Sequence, residues 1–235
     1  IREIADKYNL LLIEDACQVL GAKQNGKSAG TFGHAGSFSF YPAKVLGGYG
    51  DNGAVVTDDN YLRDKLILMR DHYEEAHNMN RPWRYGYNSL MDNLQAAFLN
   101  VKIKYLPEQI ARRREIALKY YEGLWSITKI VLPPYDEDGR FDIFQDFVVR
   151  VSPELRSRFI EYLRNEGIEI LSRPDDYYSL ANHHRRGLEL EHFNLPQTEK
   201  LMKSAVRLPI CPELSNEQVE HVIKKISIWA KLGDY

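Results

Sequence analysis

The chain has 235 residues, of which 44% are hydrophobic and 27% are charged, and its formal net charge is −2. This composition is typical of a globular protein and excludes a disordered chain. The nearly balanced charge argues against nucleic acid as the main partner. The two cysteines, Cys17 and Cys211, are too few for a disulfide scaffold or a cysteine-built zinc site. No apolar run reaches the roughly 18 residues of a membrane helix, so we predict a cytoplasmic protein without a membrane partner.

The first half of the chain predicts an α/β arrangement. Residues 1–8 have apolar side chains at helical spacing. Three runs predict strands, over residues 10–13, 37–41 and 53–57. The first of these is continuously apolar, which is typical of a strand that is buried on both faces of a parallel sheet. Asp58 or Asp59 is predicted to cap a helix that ends near Arg70.

The second half predicts a long helical segment followed by a small α+β domain. Apolar residues recur at helical spacing from Met91 to Leu124, and Pro107 predicts a kink or a break within this segment. The remaining elements are predicted as strands at 144–151, 168–171 and 206–208 and as helices at 152–166, 198–205 and 215–232. We therefore predict two domains, with residues 1–124 as part of a large α/β domain and residues 125–235 as the small domain. The chain begins within a helical pattern and has no initiator Met, which predicts an N-terminally incomplete chain.

Asp15 and Lys44 are the side chains most suited to chemistry. Asp15 follows the first predicted strand and Lys44 follows the second by a few residues. Ligands of parallel α/β sheets bind beyond the carboxyl ends of the strands, so the two groups are expected to meet one flat ligand. Pyridoxal phosphate (PLP) requires such a pair, because a lysine amine condenses with its aldehyde and a buried carboxylate keeps its ring nitrogen protonated. Ser39 is a candidate for the phosphate, and Gln18 for the phenolic oxygen. The alternative is that Asp15 caps a turn and Lys44 is a surface lysine.

The order of several motifs resembles the DegT/DnrJ/EryC1/StrS family of PLP-dependent nucleotide-sugar aminotransferases. The similar segments are residues 14–18, 33–44, 50–54, 86–97, 192–199 and 208–214. The most specific is the run Ser-Phe-Ser-Phe-Tyr-Pro-Ala-Lys, which ends at Lys44. The resemblance covers essentially the whole chain. It implies a type I (aspartate aminotransferase-like) PLP fold, of which residues 1–124 are the remainder of the large PLP-binding domain.

The resemblance also implies a role for individual residues. Lys44 matches the Schiff-base lysine, Asp15 the partner of the pyridine nitrogen, and Ser39 a phosphate ligand. Gln18 matches a residue near the O3 oxygen of the cofactor. Asn88 matches an asparagine that reaches the phosphate of the neighbouring subunit's cofactor, which implies a homodimer with a shared active site. A cap for the helix that follows Met91 is the alternative for Asn88.

The implied activity is transfer of an amino group from glutamate to a nucleotide-linked keto-sugar. Family members that catalyse C3 dehydration have histidine in place of Lys44. Leu90 replaces an arginine that meets the carboxylate of uronate sugars, which favours a neutral keto-deoxyhexose. His183 or His184 is expected to reach the sugar, and no metal site is predicted. An enzyme acting on a cyclitol, a dehydratase-type relative and a truncated non-catalytic remnant are the alternatives.

The resemblance further implies an N-terminal part that this chain lacks. In relatives, that part supplies a Gly-Ser/Thr turn for the cofactor phosphate, an aromatic side chain that stacks on the ring, and several strands of the sheet. A molecule that begins at Ile1 is therefore expected to retain PLP poorly and to have an unpaired sheet edge.

Overall fold

The computed structural model describes residues 1–72, 86–171 and 194–232. They belong to two compact units. The first unit comprises residues 1–111 and 136–145, and the second comprises residues 112–135 and 146–235. The domain boundary predicted at residue 124 stays a prediction.

The described part of the first unit contains two small sheets and three helices. Its strands are β1 (Ile13–Asp15), β2 (Lys23–Gln24), β3 (Lys27–Ser28), β4 (Ala35–Ser39), β5 (Gly53–Val56) and β6 (Arg140–Phe141). Its helices are α1 (Arg2–Lys7), α2 (Asn60–Met69) and α3 (Asn93–Lys102). One sheet has the order β1-β4-β5, in which β1 and β4 are parallel and β4 and β5 are antiparallel. The other has the order β3-β2-β6, and the sequence had not predicted it.

The second unit contains one two-stranded sheet and its helices. A 3₁₀ turn at Ile103–Tyr105 separates α3 from α4 (Leu106–Leu124), which confirms the break predicted near Pro107. The later elements are β7 (Phe147–Arg150), α5 (Pro153–Asn165), α6 (Pro196–Ser204), β8 (Ala205–Leu208) and α7 (Asn216–Lys231). Strands β7 and β8 pair antiparallel.

The helix ends follow local capping chemistry. The Asp59 carboxylate accepts hydrogen bonds from the backbone N–H groups of Tyr61 (2.8 Å) and Leu62 (3.1 Å), so Asp59 is the cap of α2. At the start of α7, Ser215 and Gln218 form a reciprocal capping box. Such caps stabilise a helix by about 1 kcal/mol each.

Two strand predictions were wrong in detail. The strand predicted over residues 10–13 begins at Ile13 and extends to Asp15, and Leu11 is 82% exposed. Within the described residues β1 lies at an edge of its sheet, which leaves its apolar side chains uncovered. Residues 168–170 do not form a strand. Gly167 has φ +76° and the Ile168 N–H bonds to the Leu163 carbonyl (2.9 Å), so this segment closes α5.

The core of the second unit centres on α4. Ile116, Tyr120 and Leu124 recur at helical spacing and are fully buried, and they share this core with Phe147 and Phe159. Burial of each such side chain stabilises the fold by about 1.5–3 kcal/mol. The Tyr120 hydroxyl also donates to the Pro209 carbonyl (2.7 Å).

A smaller apolar cluster lies in the first unit. It comprises Val45, Ile110 and Ile143, with Ala22 and Leu106 packed against it. Val45 is the residue after Lys44, so this cluster holds the loop that carries the predicted lysine.

Candidate active site

The pairing of β1 with β4 places three polar side chains on one face of the sheet. Asp15 lies opposite Ser37 in the parallel register, and Ser39 follows Ser37 by two residues. Because side chains alternate along a strand, Asp15, Ser37 and Ser39 share a face, which we call the ligand face. The Ser37 hydroxyl fixes this corner by donating to the Glu14 carbonyl (3.1 Å).

Asp15 is held as a carboxylate by its neighbours. Its Oδ1 accepts a hydrogen bond from the Cys17 backbone N–H (3.0 Å). Bonding from the Cys17 thiol and from this N–H lowers the pKa of Asp15, and the positive charge of Lys44 acts in the same direction. The Asp15 carboxylate in turn raises the pKa of the Cys17 thiol.

Lys44 lies on a tight loop at the end of β4. Its backbone N–H donates to the Tyr41 carbonyl (2.9 Å), and the Gly48 N–H returns to the Phe40 carbonyl (2.7 Å). A Cβ on Gly47 would lie 2.3 Å from the Pro42 carbonyl oxygen, so the loop can close this tightly only with glycine at that position. The Lys44 residue is half-buried.

Ser39 joins this loop to the ligand face. Its Oγ accepts a hydrogen bond from the Tyr41 N–H (3.3 Å). A serine hydroxyl that accepts a bond keeps its own hydrogen to donate. The ligand face therefore presents a carboxylate and a hydroxyl, with an amine at its edge.

Glu14 anchors β1 from the opposite face, a role that the sequence had not predicted. Its carboxylate accepts hydrogen bonds from three backbone N–H groups, those of Gly30 (2.9 Å), Gly33 (2.6 Å) and Phe32. A Cβ on Gly36 would lie 2.1 Å from the Gly30 carbonyl oxygen, so this turn packs directly on β4. With Glu14 fixed on one face, the next residue, Asp15, points to the other.

Helix α3 holds the far side of the Lys44 loop. The Gln95 Oε1 accepts from the Tyr49 backbone N–H (2.8 Å), and the Lys102 ammonium donates to the Gly47 carbonyl. The Lys102 Nζ also lies 5.0 Å from the centroid of the Tyr49 ring. The loop after Lys44 is thus tied to a helix that starts about 50 residues later in the chain.

The sequence profile of the DegT/DnrJ/EryC1/StrS aminotransferase family matches residues 1–227. The chain belongs to this family. A solved relative, DesV from S. venezuelae in complex with a ketimine intermediate, is 33% identical with a TM-score of 0.86 over 99% of this chain and 61% of that one. This likeness confirms the predicted fold class.

Two curated family relatives are similar over most of the chain. The dTDP-3-amino-3,6-dideoxy-alpha-D-galactopyranose transaminase of Aneurinibacillus thermoaerophilus is 38% identical over 228 residues, which cover 97% of this chain and 60% of the relative. The pleiotropic regulatory protein of Geobacillus stearothermophilus is 37% identical, again over 97% and 60%. The chain thus spans about 60% of the length of these relatives.

Two of the remaining predicted family residues, Gln18 and Asn88, lie within the described residues. Gln18 is exposed in the turn after Asp15. Asn88 is exposed and forms an isolated β-bridge with Asp71, near the end of α2. Asn88 is not the cap of α3, because that helix begins at Asn93 and Asp92 occupies the N-cap position. The alternative prediction for Asn88 was therefore wrong.

Some of the expected features fall outside the described ranges. His183 and His184 lie outside the described residues. Among the residues that are described, no group of three or more His, Cys, Asp or Glu is arranged to hold a metal ion. In the same part of the chain, no helix has the length and apolar character needed to cross a membrane.

A cavity of about 990 Å³ lies between β5 and α2, and Ser37 of the ligand face is one of its lining residues. Its lining is mostly apolar and includes Val56, Leu66 and Met91. Neither Asp15 nor Lys44 lines it.

Proposed function

We propose that this protein is a PLP-dependent aminotransferase that moves an amino group from glutamate to a nucleotide-linked keto-sugar. The observation that carries the proposal is the parallel pairing of β1 with β4, which places Asp15 at the end of one strand and the Lys44 loop after the end of its neighbour. Membership of the aminotransferase family supports it. The proposal is made for the whole protein, because this chain spans about 60% of the length of its relatives.

The donor set of the ligand face fits PLP. Asp15 stays ionised, which suits a partner for a protonated pyridine nitrogen. The Ser39 hydroxyl can donate to a phosphate oxygen, and the Lys44 amine can attach to an aldehyde carbon. We assign Gln18 to the phenolic oxygen, and Asn88 to the phosphate of the partner copy's cofactor. When bound, the cofactor supplies an electron sink for the carbon that loses its proton.

Lys44, Asp15 and Glu14 have different roles in the proposed reaction. Lys44 holds the cofactor and, once released from it, takes the proton from the α-carbon of the amino donor as a general base. The same amine delivers a proton to the sugar carbon that receives nitrogen in the second half of the cycle. Asp15 keeps its negative charge, because hydrogen bonds from Cys17 lower its pKa. Glu14 and the Gly30–Gly33 turn keep Asp15 on the ligand face.

The proposed substrate class rests on the relatives and on one residue, Leu90, that differs from the family pattern. Some curated relatives are dTDP-amino-sugar transaminases, among them that of A. thermoaerophilus. Leu90 stands where family members acting on uronate sugars carry arginine, so we propose a neutral keto-deoxyhexose. We assign a sugar contact to His183 or His184, and we place the reaction in the cytoplasm.

The experiment begins with the site of cofactor attachment. The purified whole protein is incubated with PLP, reduced with borohydride and digested, and mass spectrometry locates the phosphopyridoxyl group. We expect it on Lys44. The loaded protein should convert glutamate to 2-oxoglutarate and then aminate a dTDP-linked keto-deoxyhexose, measured as formation of the amino-sugar.

Other outcomes would change or overturn the proposal. An adduct on another lysine, or none at all, would contradict the assignment of Lys44 and favour a non-catalytic remnant. Conversion of glutamate with amination of a keto-cyclitol, but of no nucleotide keto-sugar, would change the substrate class to cyclitols.

A second copy of the chain is part of the proposal. Leu94, Phe98 and Val101 form one exposed stripe of α3, with Leu94 66% and Val101 56% exposed. Phe98 packs edge-on against Tyr49 in the loop after Lys44, with ring centroids 4.8 Å apart. An exposed apolar stripe next to the site supports a shared active site at a dimer interface.

The dimer is tested by the mass of the protein in solution. Light scattering should give the mass of two chains, and Val101→Lys should shift the protein toward the monomer because a charge would be buried at the interface. Glu108→Lys, an exposed change on α4, serves as the control. A wild-type monomer that transfers amino groups at the full rate would contradict a shared site.

A further inference from the structure

Gln145 contacts the backbone on both sides of Lys44. Its Oε1 accepts a hydrogen bond from the Val45 N–H (2.9 Å), and its Nε2 donates to the Ala43 carbonyl (2.9 Å). Lys44 is the single residue between these two bonds. A side chain 100 residues away in the sequence thus holds the peptide groups that flank the predicted catalytic lysine.

The segment that carries Gln145 is itself firmly placed. Ile143 is 1% exposed and belongs to the cluster that also contains Val45 and Ile110. The Asp142 carboxylate accepts from the Phe144 N–H (2.8 Å), and Phe144 has φ +49°, a conformation that L-residues seldom adopt. Gln145 therefore reaches the loop from a segment anchored by a buried side chain and a fixed turn.

Only a primary amide of this length makes both bonds. The carbonyl oxygen of the amide accepts while its NH₂ group donates, and glutamate or methionine at the same position lacks one or both functions. On the other side of the loop, Gln95 and Lys102 bind Tyr49 and Gly47. Gln145 is thus the described side chain whose hydrogen bonds lie immediately beside Lys44.

We propose that Gln145 is a positioning residue that sets the backbone of Lys44 so that its Nζ reaches the cofactor. This inference rests on the proposed function. The step it assists is condensation: the Lys44 amine attacks the aldehyde carbon, a C=N bond replaces the C=O bond, and the aldehyde oxygen leaves as water. Gln145 takes no part in the chemistry and acts by holding Ala43 and Val45.

The test compares three variants of the purified protein. Gln145→Met keeps the length of the side chain and removes both hydrogen bonds. Gln145→Glu keeps the acceptor for Val45 but sets a carboxylate oxygen against the Ala43 carbonyl. Gln24→Met is the matched control, because the Gln24 amide also bonds a backbone carbonyl of the first unit, that of Asp138, away from Lys44.

Two measurements are made on each variant. The first is hydrogen–deuterium exchange of the Val45 amide without added PLP. We expect exchange in Gln145→Met to be at least roughly tenfold faster than in the wild type, because an N–H that loses its bond opens more often. In Gln145→Glu the Val45 amide should stay protected.

The second measurement is the rate of PLP attachment to Lys44, trapped with borohydride. It should fall roughly tenfold or more in both variants, since misplacing a reacting group by about 1 Å can cost about a hundredfold.

The outcomes separate the inference from the proposed function. Wild-type attachment at Lys44 with an unchanged rate in Gln145→Met would overturn the positioning role alone. An equal loss in Gln24→Met would also overturn it, because the effect would then reflect general destabilisation. No adduct on Lys44 in the wild type would overturn the proposed function, and the inference with it. Faster Val45 exchange in Gln145→Met, with slower attachment in both Gln145 variants only, would support it.

Discussion

Lys44→Ala is expected to abolish amino transfer, with a fall of at least about 10⁴-fold in the rate of 2-oxoglutarate formation from glutamate. The fall is large because one amine serves as the point of cofactor attachment and as the base that moves the proton. Borohydride reduction of the variant should leave no phosphopyridoxyl group on the peptide that contains residue 44.

The control for this variant is another lysine of the first unit. Lys104 is exposed in the 3₁₀ turn before α4, so Lys104→Ala should transfer amino groups at nearly the wild-type rate. Lys44→Ala should unfold at a denaturant concentration close to that of the wild type, because the lysine lies in a loop and not in the apolar core. A Lys44→Ala protein that kept a tenth of the wild-type rate would remove Lys44 from the mechanism.

Asp15→Asn is expected to lower amino transfer by about 10²–10³-fold, the usual effect of removing one preorganised electrostatic contact from an active site. Asparagine keeps the shape of the side chain but cannot stabilise a positive charge on the ring nitrogen. Attachment of PLP to Lys44 should persist in this variant, so the loss should appear in the rate of proton transfer from glutamate. Single-turnover kinetics with glutamate labelled with deuterium at the α-carbon measures that step.

The pH dependence gives a second reading of Asp15. The folded-state pKa of Asp15 is lowered by Cys17 and by Lys44. The side chain is therefore ionised at and above its ordinary pKa, and it loses its negative charge only when the pH falls through the lowered pKa. The wild-type rate should therefore show no acid limb from Asp15 between about pH 5 and about pH 8.

The control for Asp15→Asn is Asp58→Asn, an exposed change of the same kind, which should leave the rate within roughly twofold of the wild type. A fall in amino transfer in Asp58→Asn as large as that in Asp15→Asn would contradict the assignment of Asp15 to the cofactor.

The sequence located Asp15 and Lys44 because each follows a strand and each lies in a distinctive motif. The predicted strand ended at residue 13, so the extension of β1 to Asp15, which puts Glu14 and Asp15 on opposite faces, was not predicted. The three N–H groups that Glu14 binds were not foreseeable either. Those groups come from a turn whose path depends on close approach of Gly30 to Gly36. The parallel pairing of the strand that contains Asp15 with the strand that precedes the Lys44 loop is present in the structure, and the roles of the two residues stay predictions.

Other parts of the site depend on contacts that no local pattern encodes. Gln145 lies 100 residues from Val45, and its neighbours predicted only a strand. Residues 168–170 have the alternating burial of a strand, yet the turn at Gly167 uses them to close a helix. Asn88 precedes a helical pattern, but the helix starts five residues later, at Asn93. In each case tertiary packing determined an outcome that local propensity left open.

The chain passes between its two compact units three times, after residues 111, 135 and 145. Neither unit is therefore a continuous stretch of sequence. A single cut in the gene cannot separate the two units. A fragment that stopped at residue 124 would keep Lys44 but lose Gln145, and would separate β6 from its partner β2. Expression of such a fragment would yield the lysine without the amide beside it. Fusion points, affinity tags and split-protein designs should instead avoid residues 136–145 and treat them as belonging with Lys44.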